Sequence, residues 1–162
     1  MNDVFVISLS ITTIVYLLFC CATDLKERMI YSFPALPLAV IWWIKAIGGT
    51  EDRQIMYVIV IVHIFLYFLF KVVRIWADGD NDLFFLFAAV YSTVHGISAP
   101  LSFITVELIS IVMVMSVAMI IGYGEARRKK EKLSSCSSIA VAPGFALSIL
   151  VFMILYVQVR WF

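Results

Sequence analysis

Apolar residues in this chain come in six blocks separated by short polar breaks. The blocks run from Val4 to Ala22, Ala35 to Gly48, Gln54 to Val73, Leu83 to Ile97, Leu101 to Gly122 and Ile139 to Val159. Four are long enough to cross a bilayer as helices, which takes at least ~17 apolar residues. The second and fourth are shorter. No internal repeat is visible, and Ser134–Ser138 is the only low-complexity stretch.

Charge decides whether the short blocks cross. If all six cross, alternate breaks share a side. Lys26, Arg28, Lys71, Arg74, Arg127, Arg128, Lys129, Lys130 and Lys132 then fall on one face, nine of the twelve basic residues. Lys45, Arg53 and Arg160 fall on the other. The positive-inside rule makes the crowded face cytoplasmic. Removing either short crossing alone would put the basic run at 127–132 outside. The expectation is an all-α membrane protein with six transmembrane helices and both termini on the non-cytoplasmic side.

Composition agrees with this. The chain is 64% hydrophobic and 14% charged, against about 25% charged in a soluble domain, and its mean hydropathy is +1.05. A length of 162 residues leads to an expectation of one transmembrane domain over 1–162 with no appended soluble module. The first block lacks a basic leader and a cleavage site, so a retained helix is expected rather than a signal peptide. A net charge of +1 argues against nucleic acid as a main partner, and no phosphate-binding glycine motif is present. Cys20, Cys21 and Cys136 form no metal-binding pair. They are expected to be two small apolar fillers and a loop thiol.

Against this background the acidic stretch "WADGDNDLFF" at 76–85 stands out. Charged groups beside a bilayer core are costly and need a reason to be there. Asp78, Asp80 and Asp82 precede the fourth block, and Asp24 follows the first. In the six-crossing topology both acidic sites lie at the cytoplasmic ends of their helices. Two carboxylates that share one proton can activate water against a peptide carbonyl. Gly79, beside Asp80, would let backbone approach without a side chain in the way.

"ADGD" at 77–80 resembles the G-x-G-D motif of type IV prepilin peptidases and preflagellin peptidases, which are intramembrane aspartyl proteases. In that family the motif opens the fourth of six membrane helices, and a partner aspartate follows the first. The partner is followed by basic residues and then Ile-Pro-Asn. Here Asp24 is followed by Lys26, Arg28 and, at matching spacing, Ile30. "IAVAPGFALSIL" at 139–150 resembles the Pro-containing entry to the family's last helix. The likeness covers almost the whole chain and is to the short, peptidase-only members. Three positions depart from the pattern. Ala77 replaces the first glycine, Tyr31-Ser32 replaces Pro-Asn, and Asp82 replaces a lysine.

The resemblance implies that Asp24 and Asp80 are catalytic, with Ala77 and Gly79 supporting the motif. It implies removal of the short basic leader of prepilin-like precursors at the inner face of a prokaryotic cell membrane. No metal or organic cofactor is expected. The partners are the precursor and the bilayer, and the oligomeric state stays open. The other acidic and polar residues have ordinary expectations. Asp78 and Asp82 cap the helix or are solvated in the loop, although Asp82 would also add like charge near the dyad. His63 is a bundle-facing hydrogen-bonding residue, as is His95. Glu107 lies in the outer half of the fifth block and has no assigned role. The basic run at 127–132 is a loop that orients the protein and contacts anionic lipid. Trp42, Trp43, Trp76 and Trp161 are interfacial anchors. Two other functions remain open. One is an inactive relative that serves in pilus or secretion assembly. The other is a small cation-coupled transporter using Asp24, Glu107 and the acidic knot.

Overall fold

A computed structural model of the protein describes residues 3–31, 33–74, 76–95, 100–130 and 139–161. Ser32, Lys132, Cys136 and the Ser134–Ser138 stretch, with the expectations attached to them, lie outside the described residues, as does the side chain of Trp161. Among the described residues the fold is all-helical, with six helices. They are α1 (Asp3–Glu27), α2 (Ala35–Gly49), α3 (Arg53–Val73), α4 (Asp78–His95), α5 (Pro100–Lys129) and α6 (Ala142–Trp161).

Every apolar block became a helix, but several helices outrun their blocks. α1 continues through Thr23, Asp24 and Lys26 to Glu27, so Asp24 lies within the helix rather than after it. α5 extends seven residues past Gly122, which puts Arg127 and Arg128 on a helix and not in a loop. The physical reason is that helical hydrogen bonds run through the backbone, and Glu, Lys and Arg are good helix formers. A change of polarity therefore does not end a helix. What ends three of them is a basic residue in the left-handed region. Arg28, Arg74 and Lys130 have φ of 55°, 55° and 56° and close α1, α3 and α5. A cation at that position complements the negative end of the helix dipole.

Among the described residues, three helices are long and apolar enough to cross a membrane: Val4–Glu27, Arg53–Val73 and Leu101–Arg128. Each turns an apolar stripe outward. On α1 the exposed residues are Val4, Ile7, Ile11, Val15 and Leu18, spaced three and four apart as one helical face requires. The inward stripe of α1 is Val6, Leu9, Thr13, Leu17, Cys20 and then Asp24. The aspartate thus continues the buried face of its helix.

α4 is the centre of the bundle. It touches α2, α3, α5 and α6, and every residue from Asn81 to Ser92 is buried. Phe87 and Tyr91 pack against Phe145 and Phe152 of α6, while Phe85 packs against Tyr67 of α3. Trp42 and Trp43 join this core, at 1% and 4% exposed, and are not interfacial anchors. The Trp42 indole N–H donates to Thr13 Oγ1 at 3.0 Å, bridging α2 to α1. Trp43 packs beside His63 and Phe85. A polar partner holds the Trp42 indole in the core, whereas the buried Trp43 Nε1 has no hydrogen-bond partner among the described residues and Trp43 is held by ring packing.

Candidate active site

The segment just after α1 meets the first turn of α4 at one end of the bundle, although the two helices themselves do not pack on each other. Their junction is Ile30 against Gly79. A Cβ on Gly79 would come within 2.6 Å of Ile30 Cβ and 3.1 Å of its carbonyl oxygen. No side chain fits there, so glycine is required by close approach. Ala77 is under no such constraint. It is not among the described non-glycine residues with positive φ, and it is exposed. Alanine therefore replaces glycine there without strain, and its backbone N–H still reaches the Asp80 carboxylate.

Asp24 is 5% exposed. Its Oδ2 accepts the backbone N–H of Ala142 at 2.9 Å. Ala142 is the first residue of α6, so Asp24 caps that helix from another part of the chain. The free N–H groups and the dipole of a helix start favour a carboxylate. The entry to α6 is also pinned from α5. A Cβ on Gly144 would lie 2.5 Å from the Val114 carbonyl oxygen. Asp24, α6 and α5 are thereby held in one arrangement.

Asp80 is half-buried. Burial, and then the charge of Asp24, push its carboxyl up from 3.8 to about 7, against the opposing hydrogen bond from Ala77. Asp24 and Asp80 line the same cavity of about 70 Å³, together with Arg28, Ile30, Gly79 and Ile139. That space is large enough for water between the two carboxyl groups. Among the described residues, no three His, Cys, Asp or Glu side chains gather as a metal site would need.

The three motif aspartates do not act as a group. At about 100° per residue, positions two apart on a helix point in nearly opposite directions, and positions four apart share a face. Asp80 follows the α6-facing stripe of Phe87 and Tyr91. Asp78 and Asp82 turn toward α3. Asp78 is exposed and lies 3.8 Å from Lys71 Nζ. Asp82 is 3% exposed and accepts the Tyr67 hydroxyl at 2.7 Å. Asn81 Nδ2 donates to the Tyr67 carbonyl at 2.8 Å. The expectation of a solvated or capping Asp82 is corrected accordingly: it is a buried acceptor on the α3–α4 seam. Nor is Asp82 among the causes that raise the Asp80 carboxyl.

Two further contacts had no place in the reading of the sequence. Arg28 pairs with Glu125 through Nη2, joining the end of α1 to α5 at the cavity wall. The run of good helix formers past Gly122 was the available signal, since it carries Glu125 onto the helix. Deeper in the bundle, His63 Nε2 and Glu107 Oε1 lie 2.6 Å apart, and His63 Nδ1 meets the Ile59 carbonyl at 2.8 Å. Glu107 thus has a partner, and His63 faces inward as expected. No protein-family model matches the chain, and no curated protein or solved structure is significantly similar to it.

Proposed function

We propose that this protein is an intramembrane aspartyl endopeptidase of the prepilin-peptidase type. The observation that carries the reading is one cavity shared by two carboxyl groups in unequal surroundings. Asp24 is held by a helix N–H, and Asp80 is kept protonated to about pH 7. Unequal carboxyls of this kind divide the roles of base and acid. Asp24 takes a proton from a water whose oxygen attacks the scissile carbonyl. Asp80 donates its proton to the carbonyl oxygen. The gem-diol intermediate then collapses: the C–N bond breaks, the proton on Asp24 passes to the leaving amine, and one hydroxyl of the gem-diol returns its proton to Asp80 as the new carbonyl forms.

The "ADGD" motif, the Asp24-to-Ile30 spacing and the Pro-containing entry to the last helix support the same class. On this reading all six helices cross the membrane, both termini lie outside and the dyad faces the cytoplasm. The substrates are prepilin-like precursors that present a short basic leader there. Co-expression with a pilin-like precursor tests the reading. Cleavage should require both Asp24 and Asp80, and an intact precursor beside well-expressed wild-type protein would refute it. A second reading, a small cation-coupled transporter, draws on the buried His63–Glu107 pair, because ionisable groups within a span mark ion paths. Cation flux in proteoliposomes, lost in Glu107→Gln, would favour it.

A further inference from the structure

Arg28 stands at the cavity with one side of its guanidinium engaged and the other idle. Nη2 is held by Glu125, whereas Nη1 is buried and has no hydrogen-bond partner among the described residues. A guanidinium has only donors, arranged in a rigid plane, and an unused buried donor is costly. The backbone fixes where this donor stands. The Arg28 N–H bonds the Asp24 carbonyl at 3.1 Å, and φ is 55°. Arg28 is therefore tied to the turn that carries Asp24, and Glu125 limits its rotation from α5. Arg28 lines the same cavity as the two aspartates, so an acceptor that enters there comes beside its guanidinium.

We propose that Arg28 Nη1 binds a backbone carbonyl of the substrate peptide beside the scissile bond, with Glu125 as its positioning residue. This rests on the peptidase reading above. The carbonyl oxygen supplies the acceptor the guanidinium lacks, and the planar donor sets the register of the peptide against Asp24 and Asp80. Because the contact is made in bound substrate as well as in the transition state, it acts mainly on KM.

The test uses full-length protein in lipid nanodiscs and a synthetic peptide with a lysine-bearing leader followed by an apolar segment. Cleavage kinetics are measured for wild type, Arg28→Gln and Glu125→Gln. Peptide affinity is measured separately in Asp80→Asn, with and without Arg28→Gln. Arg28→Gln should raise KM and weaken affinity by about tenfold or more, the scale of one lost charge-assisted hydrogen bond, while kcat stays within about threefold. Glu125→Gln should give a smaller change in the same direction. A backbone thioamide scan of the peptide against wild-type protein needs no variant to fold. One position should bind more weakly, and that loss should vanish in Arg28→Gln. Unchanged KM and affinity in Arg28→Gln, or no sensitive thioamide position, would overturn this assignment while leaving the peptidase reading intact. Wild-type protein that neither binds nor cleaves the peptide would overturn both.

Discussion

Two pairs of ionisable side chains sit inside this bundle, and they are built in opposite ways. His63 and Glu107 close directly on each other at 2.6 Å, and both ring nitrogens of His63 are engaged. Asp24 and Asp80 instead face a small cavity, and each leans on backbone N–H groups rather than on a cation. The first pair satisfies itself and ties α3 to α5. The second keeps room for water between like groups. Burial alone therefore does not mark a reactive site. What distinguishes the proposed site is an unequal pair with space left for a third molecule.

The largest expected effects set these pairs against each other. Asp24→Asn and Asp80→Asn should each lower the cleavage rate by at least about a hundredfold, the usual scale for loss of a general acid or base. Asparagine keeps an oxygen for hydrogen bonding but does not exchange a proton. Glu107→Leu should instead leave cleavage measurable and cost about 1–3 kcal/mol of stability, because it strands a buried His63 nitrogen. Initial rates and thermal unfolding of the same preparations would check both. Equal loss of activity in all three variants would erase the distinction.

Gly79→Ala comes next. Its methyl would meet Ile30 at 2.6 Å, so the segment after α1 would have to move away from α4 beside the dyad, at a cost of about 1–3 kcal/mol. Activity should fall at least about tenfold, since small displacements of reacting groups have large effects on rate. The opposite change at the neighbouring motif position, Ala77→Gly, should be close to neutral. A well-folded and fully active Gly79→Ala protein would show that the contact does not set the dyad.

Acidity gives a milder test with a definite sign. Asp80 must be protonated to donate, and its carboxyl titrates at about 7. Activity should therefore decline as pH rises through about 7, approaching tenfold per pH unit on the alkaline side. Stability moves in the same direction. The raised carboxyl contributes fully below 3.8, its ordinary value, and its contribution is lost as pH rises to about 7. A rate that climbs across that range would assign the proton to another group.

The smallest effects belong to the other two motif aspartates. Asp82→Asn keeps an oxygen for the Tyr67 hydroxyl and should leave the pH profile where it is, because Asp82 points away from the cavity. Asp78→Asn removes an exposed ion pair and should change stability by less than about 1 kcal/mol. A pH optimum displaced by Asp82→Asn would reopen the question of charge coupling across the first turn of α4.

Much of this was readable from hydropathy, because burial and lipid exposure both select apolar residues and their periodicity survives in the sequence. Six apolar blocks correspond to six helices. Helix ends were less legible, since Asp24 and Arg127 continue a helix as readily as a leucine would. Asp24, Gly79 and Asp80, which line one cavity, were picked out by spacing and by the resemblance of their motif. Their neighbours Arg28, Glu125 and Ala142 were not, because those contacts join segments far apart in the chain. Asp82 was misread because the motif was taken as loop, where three alternating acids form one cluster. In a helix the same alternation separates the middle acid from the outer two.

The sheathing of α4 has a mechanical consequence. A rod gripped by four neighbours does not tilt or slide unless all of them repack, so Asp80 stands on a fixed post. Asp24 stands on α1, which leans on α2 and α6 and turns a whole stripe of aliphatic side chains outward. If the geometry of the pair is ever adjusted, α1 is the member that moves. In a bilayer, hydrophobic thickness acts on such a peripheral helix first, through its tilt. The lipid around the protein would then tune the distance between the two acids, and a change of acyl-chain length would act on the proposed site without touching it.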